Sequence, residues 1–96
     1  MKVLITDKIN EKAADIVKAV AEADNLPTMS EDELCNIIGN YDALLVRSQT
    51  KVTDKVIKAG KNLKIIGRAG VGVDNIDLNS ATEHGIIVVN SPDGNT

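Results

Sequence analysis

Aromatic side chains are almost missing from this sequence: Tyr41 stands alone, with no Phe and no Trp among 96 residues. The interior must then be assembled from Val, Ile, Leu and Ala, a composition that suits parallel strands covered by helices. With so few rings, and no basic run interleaved with them, a stacking platform for single-stranded nucleic acid is excluded. A single cysteine, Cys35, cannot close an internal disulfide and fits a reducing compartment. One histidine and one cysteine, far apart, do not make a metal site, so no metal is expected. Basic residues number 11 against 14 acidic ones, giving a net charge of −3. No global field therefore attracts nucleic acid or an anionic membrane. The apolar runs are far shorter than the roughly 20 residues of a membrane span. The opening Met1-Lys2-Val3-Leu4-Ile5 turns polar too soon for a signal peptide. A soluble, cytoplasmic protein is expected.

What is present is 43% hydrophobic residues, enough for one domain with a real core. At this length the buried share of the surface is modest and the stability correspondingly thin. Short apolar runs alternate with helical patterns from end to end. The runs are Val3-Leu4-Ile5, Leu44-Leu45-Val46, Lys64-Ile65-Ile66 and Ile86-Ile87-Val88-Val89. Between the first two, Ala13, Ile16, Val17 and Val20 fall at i, i+3, i+4 and i+7, which predicts an amphipathic helix with Asn10 as N-cap. Ser30-Glu31-Asp32-Glu33 is a capping box, predicting a second helix with Leu34, Ile37 and Ile38 on its apolar face and Gly39 closing it. A third helix is expected from Thr53 to about Gly60, burying Val56 and Ile57. A fourth is expected from Asp77 to His84, ended by Gly85. A weaker strand is expected between the first two helices, around Val20 to Asp24 or slightly later. The pattern β-α-β-α-β-α-β-α-β predicts an α/β fold, a flavodoxin-like parallel sheet of about five strands in the order 2-1-3-4-5 with helices on both faces.

In an open parallel sheet ligands bind beyond the carboxyl ends of the strands. The residues expected there are Thr6 and Asp7 after the first strand and Arg47, Ser48, Gln49 and Thr50 after the third. Gly67, Arg68, Ala69, Gly70, Val71 and Gly72 follow the fourth, and Asn90, Ser91 and Pro92 the fifth. Two arginines thus share one rim of an acidic chain, and their planar forks suit a carboxylate or a phosphate. Pairing of Arg47 with Asp7 and of Arg68 with Asp74 is the structural alternative. The glycine-rich loop begins as G-x-G at Gly70, but Asn75 occupies the sixth position, so the dinucleotide fingerprint fails. What is left is a loop of small residues whose amides can approach an oxyanion, or a plain tight turn. His84, in the last turn of its helix, reads as a cap rather than a catalyst. Cys35 reads as a small buried residue, and no nucleophile–base pair is visible.

Three motifs, recurring in order, carry a resemblance that covers essentially the whole chain. They are Val46-Arg47-Ser48-Gln49-Thr50-Lys51-Val52-Thr53, Leu63-Lys64-Ile65-Ile66-Gly67-Arg68-Ala69-Gly70-Val71-Gly72-Val73-Asp74-Asn75-Ile76-Asp77, and Gly85-Ile86-Ile87-Val88-Val89-Asn90-Ser91-Pro92-Asp93-Gly94-Asn95-Thr96. With the opening Lys2-Val3-Leu4-Ile5-Thr6-Asp7, the sequence closely resembles the D-isomer-specific 2-hydroxyacid dehydrogenases. The resemblance implies that Arg47 and Arg68 hold the anion of 3-phosphoglycerate. It implies that the amides around Gly70, Val71 and Gly72 face the substrate carboxylate, with Ser48 and Asn95 nearby. Val71 is implied to touch the nicotinamide cofactor, NAD, through backbone or apolar contact, since some relatives carry Thr there. Gln49 stands where many relatives have a small residue. The family's catalytic Arg, Glu and His have no counterpart here, so no catalytic residue is assigned and the chain alone is expected to be inactive. Residues 1–96 are expected to be the N-terminal part of the substrate-binding domain, with the nucleotide-binding domain absent and the parent a homo-oligomer. The parent reaction implied is oxidation of 3-phosphoglycerate to 3-phosphohydroxypyruvate, on the way to serine. A dehydrogenase for glyoxylate or lactate, and a freestanding anion-binding flavodoxin-like module, remain alternatives.

Overall fold

The computed structural model of the chain describes residues 1–6, 22–47, 49–69 and 75–91. Five strands form one parallel sheet: β1 (Lys2–Ile5), β2 (Glu22–Asn25), β3 (Ala43–Val46), β4 (Ile65–Ala69) and β5 (Ile87–Ser91). Their order is β2-β1-β3-β4-β5, as the alternation predicts. Three helices are described: α1 (Glu31–Ile38), α2 (Asp54–Ala59) and α3 (Leu78–Glu83). The helix expected over residues 10–20, with its Asn10 cap and its Ala13, Ile16, Val17 and Val20 stripe, lies outside the described residues.

Each described helix starts where a side chain can take up an orphan amide. Ser30 Oγ accepts from Glu33 N at 3.3 Å and donates to Glu33 Oε1 at 3.1 Å, completing a capping box in side-chain form. Thr53 accepts from Val56 N, and Asp77 accepts from Ser80 N at 3.0 Å. At the far end of α3, His84 closes the helix as expected: its Nδ1 lies 2.8 Å from the Ser80 carbonyl, so the Nδ1–H tautomer donates there. Gly85 follows at φ 70°, a left-handed conformation that glycine adopts without strain. Gly39 closes α1 as expected, its N–H donating to the Ile37 carbonyl. Its backbone is right-handed (φ −63°), and a Cβ there would come within 3.1 Å of the Ala59 carbonyl. The small residue is needed because the end of α2 passes close by.

The core follows from strand alternation, since partners in a parallel register share a face. Leu4, Leu44, Val46 and Ile66 point to one side. There they join Leu34 and Ile38 of α1, Val56 and Ile57 of α2, and Ala81 of α3 in one buried cluster. Tyr41 enters the same cluster, so the sole aromatic is a core residue after all. Val3, Ile5 and Ala43 form a smaller cluster on the opposite side. The second strand lies at the late end of its expected range. Its Glu22, Asp24 and Asn25 carry no apolar pattern, which suits a sheet edge kept from pairing with other chains. No helix among the described residues is long and apolar enough to cross a membrane.

Candidate functional site: the carboxyl rim of β1, β3 and β4

The strands end together on one rim, and the register says which side chains meet there. Leu4 pairs with Leu44, Leu44 with Ile66, and Val46 with Arg68, which in turn faces Asn90. Arg47 follows β3 by one residue and is exposed, as expected. Arg68 differs from the expectation that it lies past its strand. It sits inside β4, because the ladder to β5 continues through Arg68 with Asn90 and Ala69 with Ser91. Polar residues can carry a parallel ladder onward near a rim, where burial no longer selects apolar ones. Arg68 is therefore half-buried, with its Nε atom shielded from solvent.

One residue of offset along the strand and one strand across place the two arginine α-carbons about 6 Å apart. Two arginines whose α-carbons lie that close add positive charge to one rim of a chain of net charge −3. An arginine meets a carboxylate or a phosphate with a planar fork of donors.

The rim is held by contacts between its loops. Thr6 and Thr50 are both buried and their hydroxyls lie 2.9 Å apart, joining the end of β1 to the chain after β3. Val52 forms an isolated parallel bridge with Ile76; Val52 N donates to Asn75 O at 2.8 Å, and Asp77 N donates to Val52 O at 2.9 Å. Asn75 adds its side chain: Nδ2 donates to the carbonyls of Arg47 and Thr50, each at 2.6 Å. The amide must be oriented this way, since Oδ1 turned toward two carbonyls would set acceptor against acceptor. Gln49 is exposed and accepts from Thr28 Oγ1 at 3.3 Å, so its side chain is accommodated on the surface.

Of the residues singled out by sequence, Arg47 and Arg68 fall at adjacent strand ends. Ser48, Gly70, Val71, Gly72 and Asn95 lie outside the described residues, as do Asp7 and Asp74. Cys35 is half-buried against the main cluster, and burial pushes its thiol up from the ordinary range. Such a thiol is a poor nucleophile. Among the described residues no group of three or more His, Cys, Asp or Glu could hold a metal ion. Sequence reasoning placed Thr6 and Thr50 at the rim but missed the contact between them and the role of Asn75. Their partners lie 25 to 44 residues away, and no local pattern announces such contacts.

The profile of the D-isomer specific 2-hydroxyacid dehydrogenase catalytic domain matches residues 3–96. The chain belongs to that family. The D-3-phosphoglycerate dehydrogenase of Synechocystis sp. is 58% identical over 95 residues, covering 99% of this chain and 17% of the relative. That of Archaeoglobus fulgidus is 57% identical over 97 residues, covering 100% of this chain and 18% of the relative. The solved NAD+-bound 3-phosphoglycerate dehydrogenase of Entamoeba histolytica superposes with a TM-score of 0.84 at 32% identity. That match covers 96% of this chain and 33% of the solved one. This D-2-hydroxyacid dehydrogenase sequence therefore spans less than a fifth of the length of the two curated relatives. The arginine pair falls on the family's catalytic domain.

Proposed function

We propose that this chain is the N-terminal part of the substrate-binding domain of an NAD-dependent D-3-phosphoglycerate dehydrogenase, and that its rim holds the substrate anion. The observation that carries the reading is the placement of Arg47 and Arg68 on adjacent strand ends of an acidic chain. A substrate bearing both a phosphate and a carboxylate presents two anionic groups to two guanidinium forks, while lactate or glyoxylate presents one. Similarity to two dehydrogenases of that name at 57% and 58% identity supports the same substrate. In the parent, NAD supplies the hydride acceptor, and the residues of this chain bind and orient the acid. Amides at Gly70, Val71 and Gly72, with Ser48 and Asn95, are proposed to complete the anion site, and Val71 is proposed to touch the cofactor. The parent is proposed to work in the cytoplasm on 3-phosphoglycerate, yielding 3-phosphohydroxypyruvate.

Steady-state kinetics of the parent dehydrogenase test this reading. Arg47→Lys and Arg68→Lys keep the charge and lose the fork. A charged hydrogen bond contributes about 1.5–3 kcal/mol, so each variant should lose roughly 10- to 100-fold in kcat/KM for 3-phosphoglycerate. The loss should be smaller for D-lactate, which lacks the phosphate. Equal losses on both acids, or no loss on either, would contradict a doubly anionic substrate. The 96-residue chain alone should produce no NADH.

A further inference from the structure

We propose that Asn75 is a positioning residue for the anion site, acting through Arg47. The inference rests on the role given to Arg47 above. The geometry is a clamp: the two hydrogens of Asn75 Nδ2 serve two different carbonyls, those of Arg47 and Thr50, each at 2.6 Å. The clamp is anchored through the backbone beside it. Asn75 O accepts from Val52 N at 2.8 Å, and the next residue, Ile76, bridges Val52. Asn75 is thereby fixed to the chain leading into α2, and its side chain reaches back to the chain leaving β3.

The consequence for Arg47 is direct. Its carbonyl oxygen defines the plane of the peptide that follows it, and that plane sets ψ at Arg47. Holding the carbonyl therefore limits the angles at which the exposed Arg47 side chain leaves the backbone. Arg47 lies one residue past β3, so the clamp acts just beyond the end of the strand. Few side chains can replace Asn75 there. Alanine supplies no donor. Aspartate, of the same shape, presents two acceptors to two carbonyls. Serine supplies one hydrogen from a shorter reach. Misplacing a binding group by about 1 Å can cost on the order of 100-fold where geometry is decisive. The amide is also sheltered: Asn75 Oδ1 is buried and has no hydrogen-bond partner among the described residues.

The test is a titration of the 96-residue chain with 3-phosphoglycerate, followed by amide NMR at constant ionic strength. Wild type, Arg47→Ala, Asn75→Ala, Asn75→Asp and Asn75→Ser are compared. Both Asn75→Ala and Asn75→Asp should weaken binding at least about fivefold, with shifted Arg47 and Thr50 amide signals. Asn75→Ser should fall between these variants and wild type. Asn75→Asp carries a signature that loss of packing cannot produce. Below its carboxyl pKa the acid regains one O–H donor, so its deficit relative to wild type should shrink as pH falls, while that of Asn75→Ala should not.

If Arg47→Ala binds as wild type does, the anion role of Arg47 fails. If Arg47→Ala weakens binding and Asn75→Ala does not, the site stands and the positioning role of Asn75 is overturned. Should the Asn75 variants not fold, wild type alone decides. Coupling is reciprocal, so bound 3-phosphoglycerate must tighten the clamp and slow exchange of the Asn75 side-chain amide protons. Unchanged exchange at saturation overturns the proposal.

Discussion

Replacing Tyr41 by Phe should remove the part of the alkaline pH dependence of stability that the buried phenol supplies. Tyr41 is 7% exposed and its hydroxyl donates to Asp24 Oδ2 at 2.7 Å, tying the loop before β3 to the edge strand β2. Burial, then the hydrogen bond to Asp24 and the charges of Asp24 and Glu22, push its phenol up to about 12 from the ordinary 10.0. The folded chain therefore keeps its phenolic proton through a range in which the unfolded chain loses it. Between those two values the unfolded state binds fewer protons, so stability falls as pH rises. The contribution is fully present below pH 10 and is gone once pH passes the folded value of about 12. At about pH 11 the loss amounts to roughly 1.4 kcal/mol, a tenfold change in the folding equilibrium. Lys55 and Lys58, raised by their partners Asp32 and Asp54, also lose stabilisation as pH climbs. The difference between wild type and Tyr41→Phe cancels them. Urea midpoints at about pH 8 and about pH 11 would give that difference, and native phenolate absorbance gives the titration itself. Because Tyr41 is the sole aromatic, the absorbance has one source. A native phenolate midpoint near 10, or a wild-type-minus-variant difference that does not change with pH, refutes the reasoning.

Ile66→Ala removes a fully buried side chain from the centre of the main cluster and should cost about 2–5 kcal/mol in urea unfolding. In a domain this small, that loss should leave a substantial unfolded fraction without denaturant. Ser30→Ala deletes the α1 capping box and should cost about 1 kcal/mol, with increased amide exchange confined to the first turn of α1. Asp54→Asn weakens the acceptor for Ser80 Oγ and Lys58 Nζ, which lie 2.6 and 2.9 Å from its carboxylate. Those partners hold the Asp54 carboxyl below its usual range, so its contribution is present above the unfolded pKa and lost as pH falls through the folded one. The destabilisation by Asp54→Asn should accordingly vanish in acid.

The parallel sheet was legible because apolar runs of strand length alternate with capped helical segments. The capping residues Ser30, Thr53 and Asp77 each sit three positions before the amide they satisfy, which is a local signal. The edge strand was harder to place, since Glu22–Asn25 is defined by pairing with β1 rather than by its own pattern. Strand ends at the rim were also underestimated, because Arg68, Asn90 and Ser91 stay in the ladder without being apolar. The arginines themselves were singled out by the strand-end rule and the motif around them. The contacts that hold their loops together were not, because Asn75 and the Thr6–Thr50 pair act across 25 residues or more. Asn75 entered the sequence reading only as the residue that breaks the glycine fingerprint.

The central claim, that the rim binds a doubly anionic acid through two arginines, is tested most directly by an amide NMR titration of this chain. Added 3-phosphoglycerate should move the signals of Arg47, Arg68 and Gly70, saturably and weakly, and Arg68→Ala should abolish the shifts at Arg47. Inorganic sulfate at the same ionic strength should move them less. Equal shifts with sulfate, or shifts spread over the surface away from the rim, would contradict it.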